Sequence, residues 1–132
     1  MRKIGIDVGS TTVKVVALDE QGSVCFSRYK RHHARAREVV ADMLGELLQE
    51  QGDVEACACI TGSVGMGMSE RHSIPFIQEV VAATKAIQQD YPQVASMIDI
   101  GGEDAKVVLF QGNHIDLRMN GNCAGGTGAF ID

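Results

Sequence analysis

Two short stretches carry the residue types that handle phosphate. Asp7-Val-Gly-Ser-Thr-Thr-Val-Lys14 and Asp99-Ile-Gly-Gly-Glu-Asp-Ala-Lys106 place Asp, an apolar residue, Gly and finally Lys at the same offsets. The match extends outward, with Ile6 against Ile98 and Val15-Val16 against Val107-Val108. Glycine in such a turn lets the backbone approach an anion closely, and consecutive N–H groups supply donors to it. A carboxylate at the strand end repels phosphate. Asp7 and Asp99 therefore read as ligands, through water, of the Mg²⁺ that accompanies a nucleotide phosphate. Gly9, Ser10, Thr11 and Thr12 are the expected donors to the β- and γ-phosphates, and Lys14 adds a point charge. Gly101, Gly102 and Lys106 repeat the arrangement in the second stretch, where Glu103 or Asp104 is the candidate to orient an attacking water. One Asp-Gly turn alone is a common hairpin signal. The matched pair points to a nucleotide cleft built from two related halves.

The cysteines differ in promise. Cys123 sits among Asn, Gly and Ala at the expected N-terminus of a helix, where the dipole favours a thiolate of the kind that holds an iron–sulfur cluster. Its plain alternative is a small residue in a glycine-rich cap. Cys57 and Cys59 share one face of a strand; such a pair can ligate metal, but in a buried strand it reads as packing. Cys25 reads the same way. His32-His33 lies in an Arg- and Lys-rich connection, expected to be a solvated loop.

The elements that must position these residues follow from periodicity. Lys3 to Asp7 and Val24 to Tyr29 alternate, Val13 to Leu18 is β-branched and apolar, and Gln21-Gly22 supplies a hairpin turn, which predicts an antiparallel meander. From Ala34 to Gln51 the period becomes helical, with Val39, Val40, Met43, Leu44, Leu47 and Leu48 in one stripe and Gly52 as the stop. Ala56 to Ile60 predicts a buried strand, and Gly62 to Gly67 a glycine-rich loop. A second helix is expected from Pro75, with Ile77, Val80, Val81, Thr84 and Ile87 on one face. Strands near Met97–Ile100, Ala105–Phe110 and Ile115–Met119 then restart the opening programme. A turn at Gln111-Gly-Asn113 joins the last two, Gly121 to Gly128 reads as a small-residue loop, and a helix is expected to begin near Cys123 to Ala129. The organisation is thus a first α/β lobe over residues 1–93 and the start of a duplicated lobe over 94–132. The chain ends inside an opening helix, so the second lobe is expected to be truncated.

Composition narrows the class. The 132 residues suit a soluble globular protein, and no apolar run approaches the roughly 20 residues of a membrane-spanning helix. A formal net charge of −5 disfavours a nucleic-acid or anionic-membrane surface. The N-terminus runs straight into a strand pattern without a signal peptide, so the expected location is cytoplasmic.

Gly5-Ile-Asp-Val-Gly-Ser-Thr-Thr-Val-Lys14 and Ile98-Asp-Ile-Gly-Gly-Glu-Asp-Ala-Lys106 resemble the two phosphate motifs of the actin, sugar-kinase and heat-shock ATPase superfamily. Met119-Asn-Gly-Asn-Cys-Ala-Gly-Gly-Thr-Gly-Ala-Phe130 narrows the resemblance to the BadF/BadG/BcrA/BcrD ATPases, activators of 2-hydroxyacyl-CoA dehydratases and benzoyl-CoA reductases. That resemblance implies a ribonuclease-H-like fold, a mixed sheet with flanking helices. It further implies ATP or ADP at the two turns and at Gly125, Gly126 and Thr127. A homodimer would share one [4Fe–4S] cluster through Cys123, and ATP hydrolysis would drive low-potential electron transfer. Its implied partners are an acyl-CoA dehydratase or related reductase and an electron donor such as ferredoxin or flavodoxin. The family's second phosphate motif carries Gln where this chain has Glu103. The alternative reading is therefore a non-catalytic nucleotide-sensing or assembly module of a larger protein.

Overall fold

A computed structural model describes residues 1–100, 105–111 and 114–119. The chain divides into two compact units, Met1–Glu79 and Val80–Asp132.

In the first unit, β1 (Arg2–Val8), β2 (Thr12–Leu18) and β3 (Val24–Arg31) bury every second side chain or nearly so, β2 through a largely apolar, β-branched run. They form the expected antiparallel meander. Between β2 and β3 the turn is held by Asp19, whose carboxylate accepts the backbone N–H groups of Gln21 and Ser23 at 2.9 Å each, with Gly22 at φ 83°. Helix α1 (Ala36–Gln51) ends at Gly52, whose φ of 77° few other residues adopt without strain. The chain then returns as β4 (Ala56–Thr61), pairing parallel to β1, so that the sheet order is β3-β2-β1-β4. A long connection carrying a helix is what a parallel return requires.

The core lies between one sheet face and α1. Ile6, Val8, Val13, Val15, Ala17, Phe26 and Ile60 from the sheet meet Val40, Met43 and Leu47 from the helix, with Met68 completing the cluster. Full burial of a side chain such as Met43 stabilises by roughly 1.5–3 kcal/mol relative to exposure. Leu48, expected in the same stripe, is 53% exposed and lies off the buried face. Across the helix edge, Glu46 pairs with both Lys30 and Arg28, and Glu50 pairs with Arg28. The Lys30 hydrogen bond is the main cause that holds the Glu46 carboxyl below its ordinary range.

Two expectations are corrected here. The stretch predicted as a glycine-rich loop turns into helix α2 (Gly65–His72), which packs with β4. Its first residue shows why glycine is present: a Cβ at Gly65 would fall 2.6 Å from Ile60 Cγ2. The next helix does not begin at Pro75. Phe76 forms a parallel bridge with Ile60, and Pro75 and Ile77 bond the Ile60 backbone on either side, so this stretch extends the sheet edge. Helix α3 starts only at Glu79 and runs to Asp90.

In the second unit, β5 (Ser96–Ile100), β6 (Ala105–Gln111) and β7 (His114–Met119) form an antiparallel three-stranded sheet in that order. Val108 is fully buried, and Thr84 of α3 is the unit's other buried residue among those described. Helix α3 falls with this unit, whereas the sequence boundary at 93/94 assigns it to the first lobe.

Candidate functional site

At one end of the first unit's sheet, the parallel strands β1 and β4 both finish at their C-terminal ends, the usual place for ligands in open α/β sheets. Asp7 stands opposite Lys14 on β2 and opposite Thr61 on β4, so these three side chains share the face turned away from α1. Lys14 is exposed and places its Nζ 5.4 Å from the centroid of the Tyr29 ring. That cation–π contact keeps the ammonium on the Asp7 face.

Beyond Asp7 the chain makes a tight reversal. The Gly9 N–H donates to the Thr12 carbonyl at 3.0 Å, and the hydroxyls of Ser10 and Thr11 lie 3.5 Å apart. A side chain at Gly9 would meet only the Thr12 carbonyl, at an ordinary 3.6 Å. The fold itself therefore leaves room for a larger residue there. Glycine at this position suits an anion that must come close to the backbone.

The sequence reading missed the other wall. Gly62 has φ 100°, and a Cβ there would lie 2.2 Å from the Val8 carbonyl oxygen and 2.7 Å from Asp7 Oδ1. Glycine is obligatory at this crossing. Behind it the Val64 N–H donates to the Val8 carbonyl at 2.9 Å, tying the start of α2 to the end of β1. Beside Asp7, the Thr61 hydroxyl is buried without a hydrogen-bond partner among the described residues. Such a group costs about 1–3 kcal/mol until something bonds it. A hydrated Mg²⁺ bound against Asp7 would bring water within the chemistry that Thr61 Oγ1 lacks, and the donor set is the hard oxygen type that this ion takes. The signal was present in the sequence as a Thr-Gly at the end of a short strand, but nothing local showed that strand to lie beside β1.

His32 corrects another expectation. It is 6% exposed rather than solvated, and its ring reaches the Gly9 carbonyl. Cys57, expected to be buried, is exposed, and Cys59 is half-buried; both belong to the β4 face that carries Thr61. Cys25 is half-buried and its Sγ–H donates to the Ala17 carbonyl at 3.4 Å. None of these three belongs to a group of three or more His, Cys, Asp or Glu side chains suited to a metal ion, among the described residues.

In the second unit Asp99 stands opposite Lys106 on neighbouring strands, as Asp7 stands opposite Lys14 in the first. Gly101, Gly102, Glu103, Asp104, Cys123, Gly125, Gly126 and Thr127 lie outside the described residues, as do the Gly112-Asn113 turn, the Gly121–Gly128 loop and the helix expected from Cys123. No described helix is long and apolar enough to cross a membrane.

Comparison with known proteins sets this geometry in context. The model of the BadF/BadG/BcrA/BcrD ATPase family matches residues 4–132. The chain is 30% identical over 132 residues to the (R)-2-hydroxyglutaryl-CoA dehydratase activating ATPase of Acidaminococcus fermentans, covering 98% of this chain and 50% of that protein. It is also 30% identical over 138 residues to the 2-hydroxyisocaproyl-CoA dehydratase activator of Clostridioides difficile, covering all of this chain and 50% of that protein. Among solved structures, the activator of the 2-hydroxyisocaproyl-CoA dehydratase from Clostridium difficile with bound ADPNP superposes with a TM-score of 0.81 at 28% identity, covering 100% of this chain and 50% of that one. The chain thus spans about half the length of these relatives. Its architecture is that of the actin-like ATPase fold, as the ribonuclease-H-like expectation required.

Proposed function

Because the chain belongs to the BadF/BadG/BcrA/BcrD ATPase family, we propose that it forms the phosphate-binding part of an ATP-dependent activator of a 2-hydroxyacyl-CoA dehydratase-type enzyme. The observation that carries this reading is the end of β1, where Asp7 stands opposite Thr61, whose hydroxyl is buried without a partner among the described residues, and runs into the Gly9–Thr12 reversal. Ser10, Thr11 and Thr12 donate to the terminal phosphates, Lys14 adds positive charge, and Asp7 with Asp99 orders the water around Mg²⁺. Gly101, Gly102, Lys106, Gly125, Gly126 and Thr127 supply the remaining nucleotide contacts, across lobes 1–93 and 94–132. Glu103 or Asp104 orients the attacking water.

The same reading makes the complete polypeptide a cytoplasmic homodimer that receives electrons from a ferredoxin or flavodoxin and delivers them to its dehydratase. Cys123 would help hold the [4Fe–4S] cluster, which supplies the low-potential electron when bound. Activators that bind ADPNP and serve dehydratases are what the relatives' names describe, and that similarity supports the assignment.

The test uses the protein at its full natural length. Asp7→Asn should weaken Mg²⁺-dependent ATP binding by about tenfold or more, the loss of one charge-assisted contact of about 1.4 kcal/mol. Binding unchanged in Asp7→Asn would overturn the reading. A second reading, a nucleotide sensor without turnover, is favoured by Glu103 standing where the family carries Gln. ATP bound but not hydrolysed by either the natural protein or Glu103→Gln would establish it.

A further inference from the structure

His32 is a buried polar side chain that the phosphate chemistry above does not use. It closes β3 and is bonded on every polar atom. Its backbone N–H donates to the Thr11 carbonyl at 3.1 Å, and its own carbonyl accepts the Arg35 N–H at 2.8 Å. The ring bridges two further backbone groups. Nδ1 lies 3.1 Å from the Ala34 nitrogen, and Nε2 lies 2.9 Å from the Gly9 carbonyl oxygen. The Ala34 amide can only donate, so Nδ1 must accept; a carbonyl can only accept, so Nε2 must carry the proton. One neutral tautomer satisfies both bonds.

The local backbone is bent to bring this about. His33 and Ala34 adopt φ of 47° and 62°, left-handed values costly for residues with a Cβ. Ala34 thereby folds its N–H back under the ring. Strain of this kind persists where surrounding contacts demand it, and the contact made here is with the Gly9–Thr12 reversal.

We infer that His32 is the positioning residue of the phosphate turn: its Nε2–H holds the Gly9 carbonyl back, and so fixes the Gly9–Ser10 peptide with its N–H towards the anion. The inference rests on the nucleotide reading of that turn. No cis peptide bond is present among the described residues, and in a trans peptide the C=O and the following N–H point in opposite directions. A carbonyl pinned on His32 therefore aims the Ser10 N–H to the other side. Glycine rotates freely enough for this peptide to flip, which would present a carbonyl oxygen, a repulsive partner, to the phosphate. A residue whose ring holds Gly9 O while its backbone N–H holds Thr11 O removes that alternative before the ligand arrives, and binding then loses less conformational entropy.

The experiment compares the full natural-length protein with His32→Phe, His32→Gln and the exposed neighbour His33→Asn. Affinity is measured for ATP and for AMP, since only ATP carries the terminal phosphates. His32→Phe keeps the ring volume and loses both bonds; it should weaken ATP about tenfold while AMP changes little. His32→Gln, which restores a donor near Nε2, should recover most of the loss, and His33→Asn should match the natural protein. Equal losses for ATP and AMP in a folded His32→Phe variant would show a merely structural role and overturn the inference, as would unchanged ATP affinity. Should His32→Phe not fold, the Gln variant and a second readout decide. Long-range ¹H–¹⁵N spectra of this chain should show the His32 proton on Nε2; a proton on Nδ1 overturns the latch whatever the nucleotide does. A natural protein that binds no nucleotide, with the Nε2 tautomer in place, overturns the nucleotide reading and the positioning role built on it. Natural binding with an unaltered His32→Phe overturns the positioning role alone.

Discussion

The meander β1-β2-β3 and the meander β5-β6-β7 share a register but not an environment. Asp7 faces Lys14 and Asp99 faces Lys106; Ile6 faces Val15 and Ile98 faces Val107. Yet Ile6 is 2% exposed and Ile98 is 67% exposed. The apolar stripe of α1 covers the first face, and no helix covers its counterpart among the described residues. In β6 the buried residue is Val108, on the face that Lys106 shares, while its counterpart Val16 is only half-buried. The difference separates two jobs. Pairing across a hairpin is local and sets where an acidic turn and its lysine stand, whereas burial is conferred by a helix that arrives from elsewhere in the chain.

The largest expected effect therefore falls on the covered meander. Met43→Ala should cost about 2–5 kcal/mol, read as faster amide exchange through β1 and β2, because it empties the centre of the helix–sheet core. Val108→Ala should cost less, about 1–2 kcal/mol, confined to β6. An equal loss at Val108 would break the contrast. Next comes the uncovered face. This chain should self-associate through it, and Ile98→Lys with Ile100→Lys should bring the mass measured by light scattering down towards 14.1 kDa. A natural chain already at that mass would remove the distinction.

The smallest effect sharpens how α1 is fastened. With the Glu46 carboxyl held low by Lys30, the stabilisation of this pair is complete above the ordinary carboxylate range and is lost as pH falls through the lowered value. Glu46→Gln should flatten the acid side of the thermal stability profile by a little, as befits a largely exposed pair. An unchanged acid slope would show the Lys30 contact to be inert.

What could be read from the residues was what is encoded locally. Alternation drew β1 and β3, a β-branched apolar run drew β2, the Gln21-Gly22 turn joined β2 to β3, and the 3.6 period of Val40, Met43 and Leu47 marked α1. The repeated Asp-to-Lys spacing suggested that each acidic residue faces its lysine across a hairpin, and both strand registers pair them so. Features set by distant neighbours were hidden. Gly65 and Gly67 lower helix propensity, and only the closeness of Ile60 explains a helix that begins on glycine. His32 sits among Arg and Lys and looked solvated, until two left-handed residues turned its ring inward. Thr61 and Gly62 acquired meaning only when β4 was placed beside β1, a pairing of residues far apart in sequence.

That last pairing has a kinetic consequence. The hairpins β1-β2 and β2-β3 close over short loops, whereas β4 can dock on β1 only after the whole of α1 has been traversed, and long-range parallel contacts form late. Gly62 meets Val8 only in that step, so Thr61 and Gly62 come to stand beside Asp7 only as the sheet closes. A folding intermediate with an intact meander would have the acidic turn and still lack the wall beside it.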